Sequence, residues 1–267
     1  MRRALMLSAA TLLAATVLPV EVARVPTYTE GIVFDNQGNG YFSHGGMISR
    51  IAPGGQVSVW AKTGAPNGHK ILADGTHLVC DARQHAVLRL DARGNVIGKA
   101  ASECNGRPLR APNDLALDAH GGFYFTDPGG SRERPRGTLH YTDSAGGTHL
   151  VDEGLFFPNG LVVRPGGRSL LVAESLYNRI LEYELLAPGK VGWRRVFADL
   201  PRKGPGQIDN QPDGIALDEE GNLYVAHYGM RQVQVLDPAG RLVRSLPAGN
   251  LTASNVAFGG PGRGQLL

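Results

Sequence analysis

Apolar and polar positions alternate along this chain in a recurring unit: a short apolar strand, a turn rich in Asp and Gly, and a second apolar strand. The unit appears at Gly31–Ser43, Lys70–Cys80, Asn113–Thr126, Asn159–Ala173 and Asp213–Ala226, and in shortened form at Asn255–Gly262. Aligned on the second apolar residue of each first strand (Val33, Leu72, Leu117, Val163, Leu217, Phe258), successive copies lie about 39 to 54 residues apart. A second hairpin follows each copy before the shortened one, as in Ile48–Trp60, Ala86–Ile97 and Gln232–Val243, with alternating strands around Asp/Pro/Gly turns. Four short strands per repeat of this length predict an all-β fold, a six-bladed β-propeller.

The chain ends at Leu267, about where the second strand of the sixth blade is due, so the sixth blade is expected to be incomplete. Residues 22–29 are expected to supply one outer strand from the N-terminus. An open blade exposes strand edges that invite pairing between chains, and the oligomeric state is left unassigned.

Composition fits many short strands: 37 Gly and 17 Pro in 267 residues meet the demand for turns. The net charge of +3 comes from scattered Lys and Arg with no basic run, so nothing points to nucleic acid. Two cysteines, Cys80 and Cys104, make neither a disulfide framework nor a zinc spacing, and both read as buried free thiols. Arg2 and Arg3 precede an apolar stretch, Ala4 to Leu18, that resembles a secretory signal. It is too short for a stable membrane span. Residues 1–25 are therefore read as a signal peptide or N-terminal extension, and 26–267 as one propeller domain. The protein is exported, periplasmic or secreted, if that segment is cleaved, and cytoplasmic otherwise.

The innermost strand of each blade lines the central channel, so residues at strand entry in several blades gather at one mouth. Glu30, Asn113, Asn159, Asp213 and Asn255 occupy this place, and Pro112, Pro158 and Pro212 stand directly before three of them. Proline fixes the entering backbone where the ladder has not yet begun. A single Asn or Asp at strand entry ordinarily caps its own turn. Repetition in phase with the blades argues for a site. Two carboxylates with amide oxygens form a hard, all-oxygen set that suits Ca²⁺, Mg²⁺ or Mn²⁺ rather than copper or iron.

The segments Thr29-Glu30-Gly31, Ala111–Leu115, Gly122–Pro128, Phe157–Gly160, Val172–Ser175 and Pro212–Asp218 resemble the senescence-marker-protein (regucalcin)/gluconolactonase family, in order and with blade-like spacing. The resemblance implies a calcium-dependent propeller that hydrolyses sugar lactones or related cyclic esters. It implies Glu30, Asn159 and Asp213 as metal ligands, Asn113 as a further ligand or substrate contact, and Asp213 as general base. Ca²⁺ is the first expectation, with Mg²⁺, Mn²⁺ or Zn²⁺ as alternatives. His44 after Ser43 departs from the Ser-Asp that the family often has.

In such a site a lactone carbonyl is polarised by the cation and a carboxylate takes the proton of the attacking water. No Gly-x-Ser-x-Gly elbow is present. Arg110, three residues before Asn113, is a candidate substrate contact; His227 is read as a packed residue or a rim group, and Tyr124 and Phe125 as core. Two other classes stay open: a non-catalytic propeller stapled by its ion, and a hydrolase of other esters such as phosphotriesters. The loops Gly129–Gly137 and Lys203–Gln211 carry no specificity pattern.

Overall fold

The computed structural model describes residues 18–129, 134–202, 211–260 and 264–267. The signal-like residues 1–17 and most of the Lys203–Gln211 loop lie outside them, as do residues 130–133. Among the described residues no helix is long and apolar enough to cross a membrane. Apart from one 3-10 turn, Ser175–Tyr177, the regular structure is strand.

The first blade is β1 (Thr29–Phe34), β2 (Gly40–His44), β3 (Met47–Ile51) and β4 (Val57–Lys62); the second is β5 (Pro66–Ile71), β6 (His77–Asp81), β7 (Ala86–Leu90) and β8 (Val96–Ala101). A small hairpin, β9 (Glu103–Cys104) with β10 (Arg107–Pro108), leads to the third blade: β11 (Leu115–Leu117), β12 (Phe123–Asp127), β13 (Gly137–Thr142) and β14 (Thr148–Leu155). The fourth is β15 (Pro158–Val163), β16 (Ser169–Glu174), β17 (Arg179–Ala187) and β18 (Lys190–Asp199), and the fifth is β19 (Gln211–Leu217), β20 (Leu223–Tyr228), β21 (Gln232–Leu236) and β22 (Leu242–Pro247). Each is an antiparallel meander in chain order. The tight turns share one device. In the turn after β1 the Asp35 carboxylate accepts the N–H groups of Gln37 and Asn39 at 2.9 and 2.8 Å, and Gly38 supplies the positive φ, +82°.

The expectation of six blades is corrected. Among the described residues five sheets have four strands, and the sixth position holds a two-stranded sheet of β23 (Phe258–Gly259) and β24 (Gln265–Leu266). Residues 22–29 do not supply an outer strand either. Residues 18–28 form no strand, Pro26 lacks the N–H a ladder needs, and Thr29 opens the innermost strand by pairing with His44. The ring nevertheless meets itself. Ser254 Oγ donates to the Thr29 carbonyl at 2.6 Å, and Gly259 lies so close to the Phe34 ring that a Cβ there would fall 2.5 Å from it.

The core is divided among the gaps between blades. Tyr124, Leu139 and Tyr141 of the third blade pack on Leu161, Leu170 and Tyr183 of the fourth, and similar clusters join the other neighbours. Tyr124 and Phe125 are 1% and 0% exposed, as expected of core residues. Being adjacent in a strand they face opposite ways, Tyr124 toward the fourth blade and Phe125 toward the second. Cys80 and Cys104 are buried in one of these gaps as free thiols.

Candidate active site

Each inner strand enters its blade through a bulge. Between the pairs Glu30–Ser43 and Val33–Tyr41 the inner strand has one residue more than its partner, and the same shift recurs after Pro66, Pro158 and Pro212. In the third blade Thr126 faces both Asn113, whose N–H it accepts at 2.8 Å, and Asp114, to which its own N–H donates at 3.0 Å. A bulge turns the extra side chain out of the pleat, which is how Glu30, Asn113, Asn159 and Asp213 come to equivalent places at one end of the channel.

Hydroxyls fix these places from the neighbouring blade. Ser43 Oγ donates to the Asn67 carbonyl at 2.8 Å, Thr126 Oγ1 to the Asn159 carbonyl at 2.9 Å, and Ser175 Oγ to the Pro212 carbonyl at 2.8 Å. The backbones approach closely enough to demand glycine. Gly68 donates its N–H to the Asn113 carbonyl at 2.8 Å, and a Cβ on Gly68 would stand 2.2 Å from Asp114 Oδ1.

Glu30 and Asp213 are brought together across the meeting of the first and last sectors. The Tyr28 hydroxyl donates to Asp213 Oδ2 at 3.1 Å, and Tyr28 and Asn255 both stand near the Glu30 carboxyl. Burial, and then the charge of Asp213, push the Glu30 carboxyl well above the usual carboxylate range. Burial likewise raises Asp114, against the pull of Lys70. A cation between Glu30 and Asp213 would offset both effects.

Among the described residues no three His, Cys, Asp or Glu side chains are grouped to hold a metal. The set at the mouth is two carboxylates with amides. Its fit to a hard cation is tested by Asn113, whose Oδ1 is buried with no hydrogen-bond partner. A buried carbonyl oxygen without a protein donor is costly in a folded protein, and a cation or an ordered water can meet it. Glu30, Asp213, Asn113 and Asn159 therefore fit an oxygen-seeking divalent ion.

The profile of the SMP-30/Gluconolactonase/LRE-like region matches residues 28–267. The chain belongs to that family. Diisopropyl-fluorophosphatase of Loligo vulgaris is 28% identical over 242 residues, covering 79% of this chain and 75% of its own. The lactonase drp35 of Staphylococcus saprophyticus is 29% identical over 232 residues, covering 83% of this chain and 70% of its own. Among solved structures, a gluconolactonase from Xanthomonas campestris superposes with a TM-score of 0.77 at 26% identity, over 87% of this chain and 80% of that one. The propeller is the fold of this family member, and its named relatives include lactonases and gluconolactonases.

Two residues of the mouth escape a reading of the repeats. Asn67 sits in the bulge of the second inner strand as Asn159 does in that of the fourth, and Pro66-Asn67-Gly68 repeats Pro158-Asn159-Gly160 letter for letter. Tyr28 precedes the first strand and carries no repeat signal. Glu30 and Asn67 line a depression of about 460 Å³ together with Tyr28, Ser43, His44 and Arg83.

Arg110 stands at the rim with its guanidinium folded toward Thr138 Oγ1, at 3.2 Å, and the Asp127 carbonyl, at 3.4 Å. Its side chain keeps 39% exposure. His227 is fully buried, bonded through Nε2 to Asn178 Oδ1 at 2.9 Å and contacted by Gln234, so it is a packed residue.

Proposed function

We propose that this protein is a divalent-metal-dependent lactonase whose cation is held by Glu30, Asp213, Asn113 and Asn159. The observation that carries this reading is the pairing of Glu30 and Asp213, together with a buried amide oxygen on Asn113 that no protein donor meets. Kinship with lactonases and a gluconolactonase supports the substrate class.

A bound cation would polarise the lactone carbonyl and stabilise charge developing on its oxygen. Asp213 accepts the proton of the water that attacks the carbonyl carbon, and returns it to the ring oxygen as the acyl C–O bond breaks. The product is the open hydroxy acid. Glu30 supplies the second negative charge that keeps the cation at the mouth, and Asn113 and Asn159 orient the carbonyl through their amides. The depression lined by Glu30 and Asn67 gives room for a substrate ring, and Arg110, outside that lining, contributes a rim contact. Kinship with a fluorophosphatase supports a second reading, in which the same site hydrolyses a phosphorus ester.

The test is initial-rate hydrolysis of glucono-δ-lactone, simple γ- and δ-lactones and a phosphotriester by metal-stripped protein with Ca²⁺, Mg²⁺, Mn²⁺ or Zn²⁺ restored. Lactone turnover that returns with one cation and disappears in Asp213→Asn supports the lactonase. Turnover of the phosphotriester alone selects the second reading, and tight cation binding with no turnover of any substrate removes both.

A further inference from the structure

Tyr28 belongs to residues 18–28, which form no strand, and directly precedes β1. Its ring is 48% exposed and meets Tyr228 edge to face, with centroids 6.2 Å apart. From this position its hydroxyl donates to Asp213 Oδ2 at 3.1 Å, and Glu30 stands close by in the depression that Tyr28 also lines.

A hydroxyl that bonds one of two neighbouring carboxylates and stands close to the other takes up space that the two acids share. A divalent cation held by both carboxylates would need that same space. The phenol and a cation would therefore contend for one place. The phenol brings a single proton to Asp213, whereas a cation would bring two charges to the pair. The segment that carries Tyr28 is tied into no sheet, so the ring has a route out.

We propose that Tyr28 sets the cation affinity of this site by occupying the gap between Glu30 and Asp213, and that the ring is displaced toward solvent when a divalent ion enters. This rests on the metal reading above. Tyr28 is then a tuning residue: its hydroxyl weakens the site and narrows it to ions that can expel a phenol.

Two measurements on metal-stripped protein test this. In calorimetric titration with Ca²⁺, Tyr28→Phe, which keeps the ring against Tyr228 and removes only the hydroxyl, is expected to lower Kd about tenfold. In ultraviolet difference spectroscopy, Ca²⁺ is expected to produce a tyrosine signal in the wild type that Tyr28→Phe lacks. Equal or weaker binding by Tyr28→Phe, in protein whose wild type binds Ca²⁺, overturns the proposal and leaves the metal reading standing. A weaker site would make the phenol a support for Asp213 rather than a competitor. Absence of binding in both proteins removes the metal reading and this inference with it.

Discussion

The Asp127 carboxylate accepts the backbone N–H of Arg110 at 2.7 Å. It also takes the N–H groups of Ala111 and Gly129, at 2.8 and 3.1 Å, so a carboxylate at the end of a blade's second strand clamps the segment that leads into the inner strand. Asp81 does the same for Ala65, and Glu174 for Phe156. In the first blade His44 holds the place. It reaches the Thr27 hydroxyl through Nδ1 at 3.2 Å and Ser49 through Nε2 at 2.8 Å, a side-chain clamp where the second, third and fourth blades use backbone.

Asp127→Ala leaves three partly buried N–H groups without this acceptor, and one charge-assisted hydrogen bond is worth about 1.5–3 kcal/mol. A loss of about 3 kcal/mol is expected in denaturant unfolding. Because Ala111 lies two residues before Asn113, lactone turnover should fall further than stability explains, when assayed under conditions where the variant is folded. Wild-type turnover in the folded variant would separate the clamp from the site.

Gly68 has no space for a side chain. A Cβ there would meet Asp114 Oδ1 at 2.2 Å and Asp114 Cα at 2.6 Å, and the second of these contacts is backbone. Gly68→Ala is expected to destabilise by about 2–3 kcal/mol and to displace Asn113, which a drop in cation affinity would report. Unchanged thermal unfolding would show that the second and third inner strands are farther apart than the structure has them.

His69 and His77 are buried side by side, Nε2 to Nδ1 at 2.7 Å, against Trp60 and Tyr41. Burial holds His77 down to about 4 and His69 well below its ordinary value; Asp35 pulls His77 up, and Lys70 pushes His69 down. Folded values below the unfolded value of about 6.5 mean that the unfolded chain binds more protons in this window. Their contribution to stability is therefore full above about pH 6.5 and is lost as pH falls toward about 4. Thermal unfolding at about pH 7 and pH 5 should show a smaller acid-induced drop in His77→Gln than in the wild type. Equal drops would exclude this pair as an acid-sensitive element.

The sequence carries the propeller because strand-turn-strand periodicity is local, and Asp-x-x-Gly turns such as Asp35–Gly38 are written in consecutive residues. It carries Glu30, Asn113, Asn159 and Asp213 because each opens an apolar run. Asn67 is harder to see, since the second repeat is most visible from Lys70 onward and its strand begins four residues earlier, at Pro66. Tyr28 is invisible from pattern alone. Its meeting with Asp213, 185 residues away in the chain, exists only when the ring brings the first and fifth blades together.

Arg110 offers two roles that one variant separates. Its guanidinium bonds Thr138 and the Asp127 carbonyl, yet 39% of its side chain remains exposed at the rim. Arg110→Ala should cost less than about 1 kcal/mol, as partly solvated pairs do. If the rim contact serves substrate, KM for glucono-δ-lactone rises severalfold with kcat little changed, the signature of binding lost equally from ground and transition states. A stability loss with no change in KM would confine Arg110 to its loop.

Glu30 gives the sharpest separation of fold from site. With the cation removed, Glu30 and Asp213 are two desolvated acids, and burial with mutual repulsion raises the Glu30 carboxyl. Glu30→Gln removes one of the charges while keeping the side chain's size. In metal-stripped protein the variant should therefore unfold at the same temperature as the wild type or higher. With cation present the order should invert. A site binding at one hundredth of the free ion concentration adds about 2.7 kcal/mol to the wild type, and the variant should lose most of it along with turnover. Differential scanning calorimetry with and without Ca²⁺ reads both halves. A variant that is destabilised equally in both conditions would mean that Glu30 serves the packing of the first blade and that the cation is held elsewhere.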